Sequence, residues 1–138
     1  MNQRLLANGL LSDRIRVPLR SGGSNASITI TATCSIASNN EDFGIIINEK
    51  SILYNSSTSS RVTTRAISVH QPGGGGTVTL VENVSNTVIN GSGYTCGAPT
   101  MINTSSFSVV LTTIAPYTNC ILEIEGMYTS GYVIITVS

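Results

Sequence analysis

The sequence predicts an all-β protein: a two-layer antiparallel sandwich of jelly-roll or related Greek-key type, with an N-terminal arm. Three observations carry this. In Ala26–Ala37 (ASITITATCSIA), Ile28, Ile30, Ala32, Cys34 and Ile36 alternate with Ser27, Thr29, Thr31, Thr33 and Ser35. Successive side chains of an extended chain point to opposite faces, so one face is apolar and the other carries only hydroxyls. Composition is the second: Ser, Thr, Asn and Gly supply the polarity, strong helix formers are scarce, and Lys50 is the single lysine. The third is spacing, with eight or so short apolar segments separated by turn residues.

Taken in order, residues 1–24 read as an extended arm and residues 25–138 as the sandwich. Leu5 and Leu6 are separated from Leu10 and Leu11 by Ala7-Asn8-Gly9, which suits a short helix or an anchoring arm with a turn at Asn8-Gly9. Arg14–Leu19 alternates and can add as an edge strand, where Pro18 is tolerated. Ser21-Gly22-Gly23-Ser24 is a flexible hinge. Exposed leucines are costly in water, so the arm is expected to fold back over the body or, in preference, to insert into a neighbour.

Ser38–Asp42 is a loop. Phe43–Asn48 and Ser51–Tyr54 read as two strands joined by a hairpin through Asn48-Glu49-Lys50. Asn55–Ser60 is a polar tip, and Arg61–His70 a strand whose imperfect alternation suggests a bulge. Gln71–Gly76 connects to a strand at Thr77–Val84; Thr87–Asn90 is a short strand or turn, and Gly91–Ala98 is irregular. Ser106–Ala115 is a strand with Phe107, Val109 and Leu111 on one face, and Pro116–Asn119 turns the chain. Asn119–Met127 sets Ile121, Glu123 and Glu125 against Cys120, Leu122 and Ile124. Gly131–Val137 closes the chain, with Val133, Ile135 and Val137 on one side.

Charge narrows the function classes. Only 10% of the 138 residues are charged and the net charge is zero. Soluble monomers ordinarily use surface charge to stay apart, so a charge-poor surface suits one covered by other subunits. Arg4, Arg14, Arg16 and Arg20 are opposed only by Asp13 in the first twenty residues, whereas after Arg65 no Lys or Arg follows. That arm is too thinly basic to package nucleic acid and suits an acidic protein surface. MNQRLLANGLL lacks the apolar run of a secretory signal, and no segment reaches transmembrane length. Synthesis in a cytosol without a signal peptide, and no membrane partner, are the expectations.

Catalytic chemistry finds little footing. His70 is the only histidine, so a zinc cluster has no second imidazole and a nucleophilic triad would depend on one strand-end ring. Glu123 and Glu125 share one strand face, unlike glycosidase carboxylates, which flank a cleft. Gly73–Gly76 lacks the Lys-Ser/Thr ending and helix of a phosphate loop. Neither enzyme activity nor a cofactor is expected. Cys34 is expected as a buried thiol, and the spacing of Cys34, Cys96 and Cys120 matches no zinc pattern. Tyr94, Tyr117 and Tyr128 fall in or beside predicted loops and offer ring faces to a glycan.

A compact β domain, low in charge, rich in Ser, Thr and Asn and led by a hinged arm, resembles the accessory proteins of virus and bacteriophage particles, the capsid decoration or cement type. The resemblance implies a virion structural protein whose partners are the major capsid protein and copies of itself. Leu5, Leu6, Leu10, Leu11, Arg14, Arg16, Arg20, Thr29, Thr31 and Thr33 are then the candidate assembly contacts. Two alternatives stand beside it. One is a receptor- or glycan-binding tip of a viral fibre or adhesin, using Tyr94, Tyr117 and Tyr128; the other is a small jelly-roll coat protein.

Overall fold

Among the described residues, eleven strands form two antiparallel sheets. The computed structural model describes residues 3–8, 15–35, 41–53, 59–71, 79–88, 94–113, 118–128 and 132–138. The strands are β1 (Gln3–Asn8), β2 (Ile15–Arg20), β3 (Ser27–Cys34), β4 (Glu41–Leu53), β5 (Ser59–Gln71), β6 (Thr79–Val88), β7 (Tyr94–Cys96), β8 (Thr100–Asn103), β9 (Ser106–Thr113), β10 (Thr118–Tyr128) and β11 (Tyr132–Val137). Sheet A runs β1-β11-β3-β9-β7, with β8 pairing the other half of β9's free edge; sheet B runs β2-β10-β4-β5-β6.

The pairing is nested. β1 meets β11, β2 meets β10, β3 meets β9, and β4 meets β5. The chain therefore runs as a long hairpin wound across two sheets, alternating between them on each pass. Period-two alternation aims one apolar row from each strand inward. Ile30, Ala32 and Cys34 of β3 pack with Val109 and Leu111 of β9 and with Val133 and Ile135 of β11. From sheet B come Ile45 and Ile47, Ile67 and Val69, and Leu122 and Ile124. Phe43 on β4 and Phe107 on β9 bridge the layers, their ring centroids 5.9 Å apart and tilted by 31°. Burying rings of this size brings a large share of the hydrophobic gain.

Within residues 1–24, β1 and β2 join the two sheets, so these segments are not a detached arm, and β2 is the edge strand that the alternation of Arg14–Leu19 predicts. Ile15, Val17 and Leu19 of β2 are buried while Arg16, Pro18 and Arg20 face out. An alternating triad of this kind gains more by joining the core than by extending into water. Gln3–Asn8, expected as helix or anchor, is an edge strand because β11 supplies a pairing edge for its whole length.

The hairpin expected at Asn48-Glu49-Lys50 is also absent. β4 is one strand, and its inward row continues through Phe43, Ile45, Ile47 and Glu49. Glu49 is fully buried, an acidic residue holding a core position. No bulge interrupts β5, whose register with β4 is unbroken from Gln71 to Ser59. The poor alternation of β5 arises because Thr63 and Arg65 take inward positions. β6 extends to Val88, absorbing Thr87, and β7 and β8 are short pieces within and just beyond the stretch read as irregular.

Candidate functional site

The outer face of sheet A is where the hydroxyl residues of β3 arrive. Thr29, Thr31 and Thr33 are half-buried there, flanked by β9 and β11. Register extends the row across four strands: Thr136 of β11 stands opposite Thr31, Thr31 opposite Ser108 of β9, and Ser108 opposite Thr100 of β8. Neighbouring rows are tied by hydroxyl pairs, Ser27 to Thr112 at 2.8 Å and Thr33 to Ser106 at 3.0 Å. Such cross-strand hydroxyl bonds hold side chains in fixed rotamers and stiffen the face. Apolar groups interrupt it, and half-buried Ile134 of β11 stands opposite Thr33. Val110, opposite Thr29, is 43% exposed, and Ile102, at the irregularity between Met101 and Asn103, is 57% exposed.

Charge divides sharply between the sheets. β3, β7, β8, β9 and β11 contain no charged residue, and Arg4 on β1 is the only one in sheet A. Eleven of the fourteen charged residues sit on sheet B: Arg16, Arg20, Glu41, Asp42, Glu49, Lys50, Arg61, Arg65, Glu82, Glu123 and Glu125. The outward rows of sheet B are an ordinary solvated surface, with Arg16 in register with Glu123, and Arg20 donating from Nε to Asn119 Oδ1 at 3.1 Å. Sheet A offers hydroxyls and the aliphatic groups of Ile134, Val110 and Ile102 instead. It can dock another surface with little ionic desolvation, which is the costly part of burying polar protein.

The other expected contacts are placed as follows. Leu5 and Leu6 stand opposite Ile135 and Ile134 on β1; Arg16 and Arg20 are exposed on β2, on the other sheet from Thr29, Thr31 and Thr33. Leu10, Leu11, Arg14 and Tyr117 lie outside the described residues, and Tyr94 is the first residue of β7. The expected contacts therefore do not form one patch. Ser108, Thr112, Thr100 and Thr136 were not singled out from sequence, since only strand register brings them beside Thr31.

At one end of sheet B a recess of about 250 Å³ is lined by Asp42, Phe43, Ser68, Met127 and Tyr128. Beside it His70 Nδ1 meets Asp42 Oδ1 at 2.5 Å, both side chains more than half exposed. An aspartate on Nδ1 is the orienting half of a nucleophilic triad. Among the described residues no serine or cysteine hydrogen-bonds the ring. No group of three His, Cys, Asp or Glu among the described residues is placed to hold a metal ion. Cys34, Cys96 and Cys120 form no disulfide. Comparison with protein-family models, characterised sequences and solved structures finds no match for this chain.

Proposed function

We propose that the chain is a structural protein of a virus or bacteriophage particle, a decoration or cement protein that binds neighbouring subunits of the major capsid protein and acts in many copies. The observation that carries this reading is the charge division: one whole sheet is almost free of ionic groups while the other carries eleven of the fourteen charged residues. A surface built for water has no reason to omit charge across five strands; one built to be covered does. The role is mechanical, with no catalytic step, nucleic acid or membrane. Binding only the assembled shell stabilises it by mass action. Adding the purified protein to shells lacking it tests this. Co-sedimentation and a raised shell melting temperature are expected, and shells that neither bind it nor gain stability contradict the role.

The nested strand pairing favours a second reading, a small coat protein. It supports viewing the sandwich as a jelly roll, a winding found in viral capsid and lectin domains. Self-assembly of the chain alone into closed shells would select that reading over cement.

A further inference from the structure

We infer that the chain pairs with a second copy of itself along the free edge of β6, joining two copies of sheet B into one continuous sheet across a two-fold axis. This is independent of the proposed role of sheet A, which uses the other layer.

An edge strand presents a row of unpaired N–H and C=O groups that templates another strand, and proteins guard such edges with Pro, charge, shortness or bulges. Three of the four edges here are guarded. β2 carries Pro18 between the exposed Arg16 and Arg20. The β7 and β8 edge is cut into pieces of three and four residues by Gly97-Ala98-Pro99, and its register shifts between Met101 and Asn103. β1 is six residues long and carries Arg4.

β6 has none of these devices. It runs for ten residues, TLVENVSNTV, about 33 Å at strand rise. It contains no Pro, Lys or Arg, and its pairing with β5 is unbroken from Val88 to Thr79. Among the described residues no strand lies beyond it. Its single charge, Glu82, is taken by an ion pair with Arg65 of β5, so it does not act as an inward-facing guard. Val81 and Val84 are each 43% exposed, one on each face of the strand.

The chemistry fits a second copy better than a foreign strand. β6 has no uncommitted charge with which to select an oppositely charged guest. Against its own copy, antiparallel, Val84 can face Val84, with Glu82 of one copy opposite Asn86 of the other, so no like charges meet. The same operation centred on Pro18 of β2 would set Arg16 against Arg20 in both copies. Isologous pairing of this kind closes on itself and stops at a dimer.

Sedimentation equilibrium of the full chain, Val84→Lys and Val62→Lys tests the inference. Val62 is 48% exposed on β5, one strand in from the edge, and controls for an added charge. The wild type and Val62→Lys are expected to be dimers. In Val84→Lys the two lysines face each other, weakening the dimer about tenfold or more. Backbone amides of β6 should exchange more slowly as wild-type concentration rises. A monomer at every concentration overturns the inference, as does a dimer weakened alike by both variants. A dimer that Val84→Lys leaves intact, with β6 exchange independent of concentration, also overturns it.

Discussion

Thr63 shows how single polar groups are handled inside this sandwich. Its hydroxyl is buried and has no hydrogen-bond partner among the described residues, at an inward position of β5 between Glu49 and the β6 edge. A buried hydroxyl left unmade costs on the order of 1 kcal/mol or more, and valine has nearly the same shape. Thr63→Val should therefore stabilise the fold by about 1 kcal/mol, read as a higher urea midpoint at unchanged slope. Arg65 and Glu82 behave in the opposite way. Their side chains are only 14% and 25% exposed and form an ion pair, so removing one partner strands the other. Glu82→Gln should cost more than the double change Arg65→Met with Glu82→Gln, because the double variant leaves no partly buried cation unpaired. The exposed pair of His70 and Asp42 is different again, and His70→Ala should change stability by less than about 1 kcal/mol.

At the scale of elements, β4 is the strand least free to change. Gly44 is buried between Ser68 of β5 and Met127 of β10. A Cβ there would overlap the carbonyl oxygen of Ile67 and lie 2.9 Å from Ser68 Cα, both backbone atoms that cannot swing aside. Gly44→Ala should destabilise by about 2 kcal/mol or more, measured by thermal or urea unfolding. The N-terminal segment makes a second case. Deleting residues 1–20 removes β1 and β2, leaving β11 and β10 as edge strands paired on one side only and removing the Ile15, Val17 and Leu19 side chains from the core. Such a truncation should lose cooperative unfolding, where removal of a detached arm would leave the melting curve unchanged.

These elements also show what local pattern can reveal. β3, β9, β10 and β11 are legible because strict alternation is a property of neighbours in sequence. β1 is not, since Leu5-Leu6 does not alternate and its extended form follows from pairing with β11, more than a hundred residues away. β4 misleads because Asn48-Glu49-Lys50 has turn chemistry, and a glutamate is a poor advertisement for a core position. The candidate site is half legible. The hydroxyl row of β3 stands in the sequence, but its continuation through Ser108, Thr100 and Thr136 depends on register, which sequence alone does not fix.

For the whole molecule, the organising feature is the unequal sharing of charge between two sheets of similar size. Sheet B carries eleven of the fourteen charged residues and, at β6, one unguarded edge; the outer face of sheet A carries hydroxyls with Ile134, Val110 and Ile102. If sheet A is covered in the working assembly, a single charge placed at its centre must be desolvated on docking, whereas the same charge on sheet B stays in water. Thr31 on sheet A, half-buried, and Thr64 on sheet B, exposed, serve that comparison, both being outer-face threonines. The most direct measurement is co-sedimentation of Thr31→Lys and Thr64→Lys with shells of the capsid protein, after melting curves establish that both variants fold. Thr31→Lys should lose binding about tenfold or more while Thr64→Lys binds as the wild type does. Full binding by Thr31→Lys would contradict the account, leaving the hydroxyl face of sheet A as a surface that meets only water.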